Sequence, residues 1–203
     1  MLGRAVVRSI RRNPYNHHVS DAALRDRVLG VLWPSRSPAG TSVWAILDCA
    51  RDDRIYSTLR TCGLDYLCLY SGRLPSEVEA AAPYLLEVAP TYKFTPKLIE
   101  MGWGKSWGIF LRIKDPSNLR HHLRSFLRVR DESGRNLMFR YYDPRVLRVY
   151  LPTCRPDELR TVFGPISSYL VEGEDGKSVS EFEFDGNRLH ERRIVLASGE
   201  DPA

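Results

Sequence analysis

The segment from Asn136 to Leu151 switches from one periodicity to another within a single residue step, and this limits the folds that can hold it. Over 136–142, Leu137, Phe139 and Tyr141 alternate with Met138, Arg140 and Tyr142, the period of two expected of a strand with distinct faces. Asp143 then has the chemistry of an N-cap, and Pro144 fits the first helical position, where no N–H donor is needed. Val146, Leu147, Tyr150 and Leu151 follow at helical spacing. A strand running directly into a helix predicts an α/β chain. It also predicts that Arg140 and Tyr142 leave one strand face beside a helix N-terminus.

Two continuous apolar runs extend this reading. Val43-Trp44-Ala45-Ile46-Leu47 and Tyr66-Leu67-Cys68-Leu69-Tyr70 lack alternation, as suits strands covered on both faces. Between them Asp52 or Asp53 starts a helix with Ile55, Leu59 and Cys62 on one face, and Gly63 stops it. Strand, helix and strand in this span predict a βαβ unit with parallel strands and a right-handed connection. Upstream, Ser20 is the expected cap of a helix through Leu32, closed by Pro34, with Ala23, Leu24, Val28, Val31 and Leu32 as its stripe. Downstream, strands are expected at 84–88 and 106–113, the latter with Trp107, Ile109, Leu111 and Ile113 on one side. Helices are expected at 96–101, from Asp115-Pro116 through Leu127, at 144–151 and at 156–163. Leu127 to Arg130 forms a hairpin with 136–142 around Glu132-Ser133-Gly134.

From Ile166 the pattern becomes antiparallel, with strands at 166–171, 179–184 and 188–196. Taking Asp185-Gly186 as a two-residue loop sets Phe182 against Leu189 and Glu183 against Arg188. The expected fold is therefore α/β, a mixed sheet flanked by helices with a C-terminal antiparallel extension. Its parts are an N-terminal basic arm and helix (1–42), an α/β domain (43–165), and C-terminal strands with a tail (166–203).

Composition excludes several classes. A chain of 203 residues, 43% hydrophobic and 27% charged, is neither low-complexity nor fibrous. Folded, it buries roughly 70% of its unfolded surface and needs no disulfide or metal staple. Its four cysteines form no C-x-x-C pair and read as reduced structural thiols. Residues 1–19 carry arginines without the apolar core of a secretory signal, and no apolar run spans a bilayer, so a cytoplasmic protein is expected.

Four constellations invite chemistry. Asp48 ends the first buried run, where open α/β sheets place ligand residues, yet no nucleophile stands in a recognised spacing to it. His121-His122 are neighbours some 100° apart on a helix and do not make an i, i+4 metal pair. Gly102-Trp103-Gly104-Lys105-Ser106 ends like a phosphate loop, but Ile99 occupies the position of the first glycine and a strand follows. Arg120, Arg124 and Arg128 recur every four residues, a solvated face or a contact for phosphate or acidic protein.

Several segments in order resemble the effector-adaptor (chaperone) family of type VI secretion systems, encoded between the VgrG spike protein and a toxic effector. They are Trp44-Ala45-Ile46-Leu47-Asp48-Cys49-Ala50-Arg51, the 66–70 strand, Ala82-Pro83-Tyr84-Leu85-Leu86 and Trp107-Gly108-Ile109-Phe110-Leu111. Leu119-Arg120-His121-His122-Leu123-Arg124, Phe139 through Leu147 and Phe163-Gly164-Pro165 complete the series. Cys49 stands where the family often has glycine. The resemblance implies a non-enzymatic cytoplasmic adaptor without cofactor or metal, which binds an effector by its N-terminal or linker region and loads it onto VgrG. Partner-binding candidates are Tyr70, Trp107, Arg140, Tyr142, Asp143 and Arg145, with Arg120 and Arg124 as secondary contacts. A basic nucleic-acid-binding module using the arginine row is the second reading, and an enzyme using Asp48 the third.

Overall fold

The structure is a computed structural model that describes residues 21–36, 38–130 and 133–196. The Ser20 cap, the basic arm, Glu132 of the hairpin turn and the C-terminal tail lie outside the described residues. In order, the elements are α1 (Asp21–Leu32), β1 (Ser42–Asp48), α2 (Asp53–Arg60), β2 (Tyr66–Cys68), α3 (Ser76–Ala80) and β3 (Pro83–Val88). There follow α4 (Phe94–Gly102), β4 (Gly108–Ile113), α5 (Leu119–Ser125), β5 (Arg128–Arg130) and β6 (Asn136–Met138). The chain continues through α6 (Pro144–Tyr150), α7 (Pro156–Phe163), β7 (Ile166–Glu172), β8 (Ser178–Phe184) and β9 (Leu189–Val195).

Seven strands form one sheet in the order β2-β3-β1-β4-β7-β8-β9, while β5 and β6 make a separate ribbon. Helices cover both faces, so the α/β class holds. Odd residues of β1 (Val43, Ala45, Leu47) pack with α1, α2 and α4, whereas Ile46 meets a second core built with α5, α6 and α7. Burial on both faces is why β1 reads as an unbroken apolar run.

Every pairing is antiparallel, and here the βαβ expectation is corrected. β1 and β2 run the same way, but β3 lies between them and pairs with both. The six-residue match of β1 to β3 gives a longer ladder than the three-residue β2 can offer. The β1 run reports burial on two faces, whereas the run at 66–70 does not, since β2 is an edge strand with Leu67 exposed; neither run reports which strand is the neighbour.

Other expectations shift for local reasons. The strand before α6 stops at Met138, and residues 139–143 turn, with Asp143 N–H bonded to the Arg140 carbonyl at 3.0 Å. Tyr141 and Tyr142 are thereby both buried instead of facing opposite ways. Trp107 precedes β4 and joins the α2/α4 core, while Ile109, Leu111 and Ile113 join the other. Ser106 before it has φ 58°, which rotates Trp107 out of the strand's alternation. The β8–β9 loop has four residues rather than two, placing Phe182 opposite Glu191 and Phe184 opposite Leu189. The Asp185 carboxylate accepts the N–H groups of Asn187 (2.8 Å) and Arg188 (2.7 Å), which closes this wider turn.

The C-terminal strands continue the main sheet, since β7 pairs directly with β4. Arg112 of β4 ties that region to α1. Its buried guanidinium donates to the carbonyls of Val31 and Leu32 at the end of α1, to Ser168 and to Glu181. Carbonyls that a helix end leaves without partners are thus satisfied from the sheet. No described helix is long and apolar enough to cross a membrane.

Candidate functional site

A groove of about 580 Å³ opens beside the β2 edge of the sheet, between the segment after β2, α3, α5 and the β5–β6 ribbon. Leu69, Leu74, Val78, Leu127 and Met138 give it apolar walls. Tyr70 stands at one side, and Arg124, Arg128 and His121 at the other. Pairing of Arg128 directly with Met138 puts a cation and a flexible apolar side chain next to each other on one face of the ribbon. On the opposite face, Val129 and Leu137 are exposed.

Tyr70 leads from the groove into a polar cluster behind it. Its hydroxyl meets that of Tyr142 at 3.5 Å. Burial, then the contact with Tyr70, pushes the Tyr142 hydroxyl well above its ordinary range. Beside it Arg140 donates to the buried carboxylate of Asp48, whose other oxygen accepts the Ala50 N–H at 3.2 Å. Asp48 therefore ends β1, shapes the following turn and pairs with Arg140.

Asp143 caps α6, accepting the Arg145 N–H at 2.9 Å, and the Arg145 side chain returns to the same carboxylate (Nη2 to Oδ2, 2.5 Å). Burial pushes the Asp143 carboxyl up, but these hydrogen bonds and the charges of Arg145 and Arg140 outweigh it and hold it below the ordinary aspartate range.

The eight sequence candidates thus divide by place. Tyr70 and Arg124 line the groove. Arg140 and Arg145 are surface guanidinium groups, each tied to a buried carboxylate. Tyr142 and Asp143 are buried. Arg120 donates from Nε and Nη2 to the Cys68 carbonyl (3.0 and 2.8 Å), closing the end of β2. Trp107 is 3% exposed, its indole N–H on Asp52 at 3.2 Å and the Arg54 guanidinium 5.7 Å from its ring, so it packs inside the α2 region and away from the groove.

Leu74, Val78 and Met138 belong to the groove without having been singled out, while His121 and Arg128 were noted in the histidine pair and the arginine row but not as partner-binding candidates. Val78 gives the one usable signal, a valine between two glutamates on a short exposed helix.

Two sequence motifs acquire plain structural explanations. The Gly104 and Ser106 N–H groups, which a phosphate loop would turn toward its ligand, both donate to Glu172 of β7 at 2.6 Å. An internal carboxylate occupies the anion's place. His122 shares its Nε2 with the Val162 carbonyl at 3.0 Å, and burial lowers its pKa. Among the described residues no three His, Cys, Asp or Glu side chains cluster as a metal site.

A family model described as a domain of unknown function, DUF4123, matches residues 43–161. No curated protein and no solved structure matches the chain. The matched span runs from β1 into α7 and contains every groove residue and the Asp48–Arg140 and Asp143–Arg145 pairs. It covers more than half of the 203 residues, and the chain belongs to the DUF4123 family.

Proposed function

We propose that this protein is a cytoplasmic effector adaptor of a type VI secretion system. It holds a toxic effector by its N-terminal or linker region and assists its loading onto the VgrG spike, making and breaking no bonds itself. The observation that carries this reading is the open, preformed groove in which aliphatic walls meet a tyrosine and two arginines. Tyrosine and arginine beside apolar surface are the residue types that dominate protein-interface energetics. All but the last of the ordered segments resembling effector adaptors fall within the DUF4123 match, and they supply Leu69, Tyr70, His121 and Arg124 to the groove and Asp48, Arg140 and Tyr142 to the cluster behind it. Asp48, the one residue placed for catalysis, is engaged with Arg140 and the backbone, and no nucleophile–base pair adjoins it among the described residues.

Co-expression with the effector and spike proteins encoded beside it tests the proposal. A stable complex of the purified chain with one effector is the expected result. Recovery of the chain free of both effector and spike removes the reading.

A further inference from the structure

We infer that the groove receives an acidic segment of the partner protein, seated by aliphatic side chains and selected by charge. The inference rests on the adaptor reading for who the partner is, and on the groove alone for the partner's chemistry. Near this face three guanidinium groups are engaged: Arg120 with a carbonyl, Arg140 with Asp48 and Arg145 with Asp143. Arg124 and Arg128 differ, because no carboxylate pairs with either among the described residues and none lines the groove. Their charge stands at the edge of apolar walls, where the local dielectric is lower than in bulk water and an incoming carboxylate gains more.

The apolar part restricts the occupant further. Val78 and Met138 are 41% and 46% exposed, and both face a space inside the ~300–1,000 Å³ range that encloses most of a small ligand or a few side chains. Met138 is flexible enough to fit differing aliphatic shapes. Because Arg128 and Met138 are direct cross-strand partners, the ribbon offers one apolar and one cationic contact side by side. A segment in which acidic and aliphatic residues lie close together satisfies both. A nucleic-acid strand is a poorer match, since it needs a track of cations with stacking platforms and the groove holds a single aromatic, Tyr70.

The test is fluorescence anisotropy of the whole protein with a labelled synthetic peptide alternating leucine with aspartate or glutamate. Its controls are the lysine-for-acid counterpart and a labelled oligothymidylate. The acidic peptide is expected to bind at least about tenfold more tightly than the lysine peptide at low salt, with the advantage shrinking as screening increases. Arg124→Glu with Arg128→Glu should reverse that order, and Val78→Ser with Met138→Ser should weaken both peptides. Arg124→Gln with Arg128→Gln, expected to abolish the preference, serves if the glutamates disturb α5. Equal binding of both peptides, no binding of either, tighter binding of the oligothymidylate, or an unchanged preference in the arginine variants each overturns the inference. Co-purification separates the two claims. An effector retained equally by the wild type and the Arg124→Glu/Arg128→Glu variant sinks the groove assignment and leaves the adaptor reading. Peptide selectivity together with no effector or spike complex does the reverse.

Discussion

Asp143 shows how one side chain serves the fold twice over. It caps α6 and neutralises Arg145 from a nearly buried position. Asp143→Ala should destabilise the protein by about 1–2 kcal/mol in urea unfolding, whereas Asp143→Asn, which keeps the cap, should lose less. Because its folded pKa lies below the ordinary value, its contribution is present above about pH 4 and is lost as pH falls through the folded pKa. Arg140→Ala strands the Asp48 carboxylate and should cost about 1–3 kcal/mol, restored in part by Asp48→Asn in the same chain. At Cys49, burial pushes the thiol up to about 12, so alkylating reagents should leave it unmodified in the native protein and label it only after denaturation.

His122 belongs to the same scale with a different window. Its pKa is lowered by burial, so it favours the fold above about pH 6.5 and costs stability as pH drops toward the folded value. Glu172 acts oppositely: burial raises it despite the Gly104 and Ser106 N–H groups, so its contribution is fully present below the ordinary glutamate pKa and lost as pH rises through the folded one. His122→Gln should therefore flatten the loss of stability between pH 7 and 5, measurable by urea titration at each pH.

At the scale of elements, α7 ends at Gly164, with φ 46° and ψ −114°, a conformation available almost only to glycine. An added Cβ there would also run into the His122 ring. Gly164→Ala should lower stability by about 1–3 kcal/mol, read as a shifted denaturation midpoint at unchanged slope. β7 occupies an interior place in the sheet and brings Tyr169 and Val171 into the second core. A protein ending at residue 165 is expected to lack cooperative thermal unfolding, although the family match itself stops at 161.

Helices and strands were legible wherever a period met a start signal, as with the Asp143 cap and Pro144, or with Pro156 opening 156–163. Pairing was not. The apolar run at 66–70 looks the same whether its neighbour is β1 or β3, and the Asp185 turn widened because its carboxylate captures two N–H groups. The site was half legible for the same reason. Tyr70 and Arg124 stood out by type, but Val78 and Met138 are sixty residues apart and join one wall only after folding.

Across the whole molecule, polar and apolar contacts divide the labour. Two cores clamp one sheet, and arginine side chains tie α1 to its C-terminal strands. Arg112 bridges α1 to β8 through Glu181, and Arg27 of α1 donates to the Leu196 carbonyl at 2.6 Å just past β9. The groove instead adjoins β2, the opposite border of the same seven strands. At ~4.8 Å per strand the two borders stand roughly 30 Å apart. A tether or fluorophore attached after Leu196 consequently leaves from the far rim, so a protein immobilised that way leaves the groove unobstructed.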